Sequence, residues 1–100
     1  MVKKLPINII VEAKVFIVGN NAANNVSLNY DGVYTVERGD NVTVVVTALT
    51  AVGLEELSYT YLSSDGTTVT DYIDELEVGE TMSIVVPITN HTIFLIEVVT

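Results

Sequence analysis

Apolar and polar residues alternate one by one along much of this chain, and two stretches set the pattern for the rest. In Val36 to Ala48, VERGDNVTVVVTA, Val42, Val44, Val46 and Ala48 share one face, and Thr43, Val45 and Thr47 share the other. A period of two is that of a strand, here with a buried face and a mixed outer one. The turn Glu37-Arg38-Gly39-Asp40 launches it. Forty residues later the design returns as Leu76 to Ile88, LEVGETMSIVVPI, with Gly79-Glu80 matching Gly39-Asp40 and with Met82, Ile84 and Val86 matching Val42, Val44 and Val46. The two ribbons are expected in opposite layers of a two-layer body. Pro87 has no N–H for a ladder, so its strand should lie at a sheet edge or carry a bulge.

The same pattern extends in both directions. Leu5 to Val18 reads as one long strand, with Ile7, Ile9, Val11, Ala13, Val15 and Ile17 on one face. Its fourteen residues would span roughly 46 Å, so it should bend, switch sheets or project beyond the body. GNNAANN, residues 19 to 25, is a loop. Val26 to Tyr30 and Val33 to Val36 flank Asp31-Gly32, a two-residue hairpin signal. Leu57 to Leu62 and the Thr-rich Thr67 to Tyr72, expected at an edge, flank the turn Ser64-Asp65-Gly66. Ile73 and Leu76 should plug the crossover that follows. Thr92 to Thr100 closes the series. Seven or eight short strands with regular turn signals predict an all-β chain, a β-sandwich.

Composition agrees. The chain has 100 residues, one domain's worth, with 49% hydrophobic and 17% charged residues, which excludes general disorder. Valine, isoleucine and threonine dominate, and they favour strands. There is no cysteine, which removes disulfide, zinc-thiolate and thiol chemistry. The net charge is −9, and Lys3, Lys4, Lys14 and Arg38 are the only basic residues. Such a chain repels nucleic-acid backbones and anionic membranes. No uninterrupted apolar run approaches a membrane span. Pro6, Asn8, Glu12 and Lys14 break the N-terminal apolar stretch that a secretion signal would need.

The paired patterns resemble the second and fifth strands of immunoglobulin-like surface modules. The residues that carry the resemblance are Gly39-Asp40 with Val42, Val44 and Val46, then Leu76, Gly79-Glu80, Ile84, Val86 and Ile88. It covers residues 36 to 100 and marks a fold, an immunoglobulin-like β-sandwich, and not an activity. The chain departs from the family in having no tryptophan on the third strand and no tyrosine corner. Such a fold would also add a strand after the last one here. That edge must then be closed, either by the N-terminal strand or by a strand from a neighbouring chain.

Candidate chemistry is thin. His91, the one histidine, sits in a turn without a nucleophile or a second histidine in its sequence neighbourhood. Asp71, Asp74, Glu75, Glu77 and Glu80 lack the spacing of a calcium loop and read as a solvated face. Tyr30, Tyr34 and Tyr72 could form a glycan platform but suit strand packing better. Three N-x-[ST] sequons, at Asn25, Asn41 and Asn90, would matter only in a glycosylating route. No cofactor and no enzymatic activity are expected.

The informative anomaly is apolar residues on both faces of the outer strands. Ile10, Phe16 and Val18 oppose the inward set of the first strand, Ile93, Leu95 and Val99 do so near the C-terminus, and Val45 and Val85 add to them. A free-standing sandwich should be polar outside. Either loops cover these side chains or they mark contact with another subunit or a larger body. The expectation is a structural module acting by protein–protein contact, as a homo-oligomer or docked on a larger assembly, in a virion (capsid decoration or tail accessory) or a surface filament. The alternative is an adhesion-type module that binds a glycan or calcium weakly.

Overall fold

The structure, a computed structural model, describes residues 11–19, 22–53 and 56–99. They form eight strands: β1 Glu12–Val18, β2 Val26–Leu28, β3 Gly32–Glu37, β4 Asn41–Ala48, β5 Leu57–Ser63, β6 Thr68–Tyr72, β7 Thr81–Pro87 and β8 Thr92–Val98. No helix occurs among the described residues. The strands make a five-stranded sheet ordered β3-β1-β8-β5-β6 and a three-stranded sheet ordered β2-β4-β7. The described residues are therefore all-β with two sheets, as a β-sandwich requires.

The two matching ribbons are β4 and β7, and here the structure corrects the sequence reading. They do not lie in opposite layers. They pair directly and antiparallel, with Val42 opposite Val86, Val44 opposite Ile84 and Val46 opposite Met82. A period of two says which face of a strand is buried but not which layer holds it. The forty-residue repeat gains a physical reason from this pairing. The N–H of Gly39 donates to Ile88 O at 2.8 Å, and that of Gly79 to Ala48 O at 2.9 Å. In return Ile88 N donates to Asp40 O and Ala48 N to Glu80 O, both at 2.9 Å. Each ribbon's opening turn closes on the far end of the other. Both glycines sit at positive φ, 99° and 90°, which costs a side-chain-bearing residue about 1–2 kcal/mol.

Asp31-Gly32 is a second correction. It is not a hairpin turn. It passes the chain from the small sheet to the large one, because β2 pairs with β4 and β3 pairs with β1. β2 ends at Leu28, short of the expected Tyr30, and Asn29 then extends the ladder with its side chain. Its Oδ1 accepts from Val45 N at 2.8 Å and its Nδ2 donates to Thr43 O at 3.1 Å. Once an amide side chain has taken those backbone groups, a following strand has nothing left to pair with there.

β1 closes the edge beside β8, running parallel to it with Val15 opposite Thr92 and Val18 opposite Leu95. The N-terminal strand thus covers the β8 edge that was expected to need closing. The part of the expected first strand before Val11, Ile10 included, lies outside the described residues. Val11 has the parity of the inward set but is exposed, because it precedes the covered part of β1. At the other end β8 stops at Val98.

The turn at Ser64-Asp65-Gly66 joins β5 to β6 as expected, with Gly66 at φ 100°. β6 and β7 are edge strands, which suits the threonines of one and Pro87 of the other. The core is continuous between the sheets. β1 contributes Ala13, Val15 and Ile17, β4 and β7 their inward valines and Ile84, and β8 Phe94 and Ile96. Ile73 and Leu76 are buried plugs in the crossover from β6 to β7. Tyr59 stacks on Phe94 with ring centroids 6.0 Å apart. No buried side-chain nitrogen or oxygen among the described residues lacks a hydrogen-bond partner.

Candidate functional site: the outer face of the large sheet

Alternation along β1, β3, β5 and β8 sends one set of side chains into the core and the other outward. Register decides where the outward ones meet. Phe16 lies opposite Val33 on β3 and opposite Ile93 on β8. Ile93 in turn lies opposite Leu62 on β5. Four consecutive strands therefore place one apolar residue each in a single row, Val33–Phe16–Ile93–Leu62. Their relative exposures are 63%, 40%, 45% and 46%. One step along the strands, Val18 and Leu95 are partners and Leu95 faces Thr60, whose hydroxyl is 3.1 Å from that of Thr70. These three are half-buried by their neighbours. The result is a contiguous apolar block, with a shallow groove of about 620 Å³ along its Lys14 and His91 side, lined by Phe16, Val33, Leu62 and Ile93.

Of the residues expected at an interface, the structure thus brings Phe16, Val18, Ile93 and Leu95 onto one face. Val99 is exposed just past β8. Sequence reading missed Val33 and Leu62. Their signal was present, since Val33 shares parity with Thr35 and Glu37, and Leu62 with Ser58 and Thr60, but those companions are polar. Only register shows that the lone apolar member of each set falls in the same row. The small sheet differs. Val85 is exposed and Val45 half-buried there, among Thr43, Thr47, Thr81 and Ser83. Leu49 and Val78 are single exposed residues elsewhere, which is ordinary for a protein surface.

Charges rim the block. Glu12 and Glu37 are partners at one end of the sheet. Lys14 comes next, its Nζ donating to Thr35 Oγ1 at 2.6 Å. His91 sits beside it, and its Nδ1 accepts from Lys14 N at 2.9 Å. The imidazole is thereby a structural acceptor that ends the β1–β8 ladder. Glu97 lies at the other end of the block, opposite Ser58.

Asp71, Asp74, Glu75, Glu77 and Glu80 are all exposed. Among the described residues no group of three or more His, Cys, Asp or Glu is arranged to hold a metal. Tyr30 and Tyr34 contact each other edge-to-face at 5.0 Å and pack against the core. The Tyr34 hydroxyl accepts from Asp31 N and donates to Asp31 O, so that pair braces the passage between sheets. Burial, and then the neighbouring Asp71, Tyr61 and Asp74, raise the pKa of the Tyr59 hydroxyl. The Thr89 hydroxyl, and then Thr67 and Ser63, hold the Asp65 carboxyl well below the usual carboxylate range. Thr89 Oγ1 donates to Asp65 Oδ2 at 2.6 Å and Thr67 N to Oδ1 at 3.1 Å. That cluster ties the β5–β6 turn to the segment after β7.

No family model, curated protein or solved structure matches this chain.

Proposed function

We propose that the chain is a non-enzymatic structural module that acts by protein–protein contact through the outer face of its five-stranded sheet. One observation carries this reading: a row of exposed apolar residues on four adjacent strands, continued by Val18 and Leu95, on a chain of net charge −9. Contiguous apolar surface of this kind marks contact sites, whereas scattered single residues do not. The setting we infer is a virion or a surface filament, where small modules of this sort decorate or link larger bodies.

We infer an immunoglobulin-like relationship for the fold. In such sandwiches the second and fifth strands are neighbours in one sheet and the third and sixth in the other. The pairs β4–β7 and β5–β8 match that scheme, and β2 stands where a first strand would. β1, parallel to β8, takes the place of the last strand and is the point of departure.

Photo-crosslinking tests the functional reading. A photoreactive residue replacing Phe16 is expected to give specific protein adducts in the native setting, and one replacing Val85 on the small sheet is not. Equal adduct yields from both positions would sink it.

A further inference from the structure

The apolar block has charges on either side of it, and their spacing is symmetric. Along a strand, outward residues recur every ~6.6 Å. Take the row Val33–Phe16–Ile93–Leu62 and the row Val18–Leu95–Thr60 as the two middle rows. Lys14 and His91 occupy the next row on one side. Glu97 occupies the next row on the other, on β8, the strand beside Lys14's. The midpoint between cation and anion is the midpoint of the apolar block.

A face with this layout is complementary to itself. Turn a second copy over about an axis that runs across the strands through the block's centre, and lay it face to face on the first. Apolar row meets apolar row. His91 of each copy comes opposite Glu97 of the other, with Lys14 one strand to the side, diagonally across from it. Glu12 and Glu37 lie one row beyond Lys14, outside these four rows, and the strands of the small sheet hold no acidic residue. An interface made twice from one patch is what a two-fold dimer requires. We propose that the occupant of this face is a second copy of the chain, packed antiparallel, with Lys14 of one copy paired to Glu97 of the other. This proposal deepens the functional reading above and rests on it.

The available area sets the strength. Five strands at ~4.8 Å spacing and seven residues at ~3.3 Å give a face of roughly 500 Å² per copy. Some 1,000 Å² over both copies is the low end of specific interfaces, so the dimer should be reversible and in the micromolar range or weaker.

Within one copy, Lys14 and Glu97 are three rows apart, ~20 Å along the strands, and cannot pair. Charge reversal therefore separates contacts between copies from contacts within one. Sedimentation velocity of the full chain, from micromolar to millimolar concentration, should show a monomer–dimer equilibrium. Lys14→Glu alone, and Glu97→Lys alone, should each weaken it about tenfold, because each sets like charges diagonally across from one another twice. An equimolar mixture of the two variants should associate about as well as the unaltered protein, since every such pair is then opposite in sign. Phe16→Asp should abolish association with the melting temperature nearly unchanged, and Leu62→Ser serves as the milder version should Phe16→Asp misfold. Unaltered protein that is monomeric throughout would overturn the proposal. So would a dimer indifferent to Phe16→Asp, or a mixture no stronger than its components. Monomeric protein whose photo-crosslinks at position 16 still land on a different protein would overturn the second copy alone and leave the contact function standing.

Discussion

The two sheets differ in composition and in exterior: the strands of the small one hold no charged and no aromatic residue, and those of the large one hold both. In the small sheet β4 and β7 are locked by reciprocal turn-to-end hydrogen bonds, Asn29 occupies the ladder positions beyond β2, and Pro87 blunts the edge strand. Its outer face is mostly threonine and serine. In the large sheet the inner face is equally well packed, with Phe94 fully buried, yet four strands also put an apolar residue outward in one row. Two phenylalanines on neighbouring strands make the contrast. Phe94 completes the core, and Phe16 faces out. Burial of apolar surface is the main favourable term in folding, and Phe16 withholds part of its own from that term. The small sheet is finished as a surface for water, and on our proposal the large one is shaped for a partner.

The largest effect should come from the core side of this contrast. Phe94→Ala should cost about 3–5 kcal/mol by chemical denaturation, whereas Phe16→Ala should stay within ~0.5 kcal/mol for the monomer. Similar costs would mean that Phe16 is part of the fold and not of a contact surface. Next come the turns that lock the small sheet. Gly39→Val and Gly79→Val should each lose about 1–2 kcal/mol through left-handed strain, and the two losses should be similar because the turns play matching parts. Asn29→Ala should remove about 1 kcal/mol and raise amide exchange at Val45, where a backbone donor loses its partner. Exchanging exposed side chains for threonine should barely alter melting. Phe16→Thr should change the apparent mass, and Val85→Thr should not.

The smallest effect is one of pH. The Asp65 carboxyl is held low by the Thr89 hydroxyl, so its contribution is present above the ordinary carboxylate range and fades as pH falls through its depressed value. Asp65→Asn should melt slightly lower than the unaltered protein at neutral pH, and the difference should vanish in strong acid. A difference that grows with acidity would contradict the geometry of the β5–β6 turn.

Much of this was legible in the chain. The inward sets of β1, β4, β5, β7 and β8 follow from alternation alone, because side chains on a pleated strand must alternate. The glycine turns, the plugs Ile73 and Leu76, the edge positions of β6 and of Pro87, and the outward placement of Phe16, Val18, Ile93 and Leu95 could be read the same way. Pairing could not. Asp31-Gly32 has hairpin chemistry, but partners elsewhere outcompeted the local one. The layer holding each ribbon, the parallel docking of β1 on β8, and the single row that unites Val33 and Leu62 with Phe16 and Ile93 all depend on contacts between residues far apart in sequence. Periodicity is a local property and determined the faces. Register is a non-local one, and only the tertiary structure decided it, together with the surface that it creates.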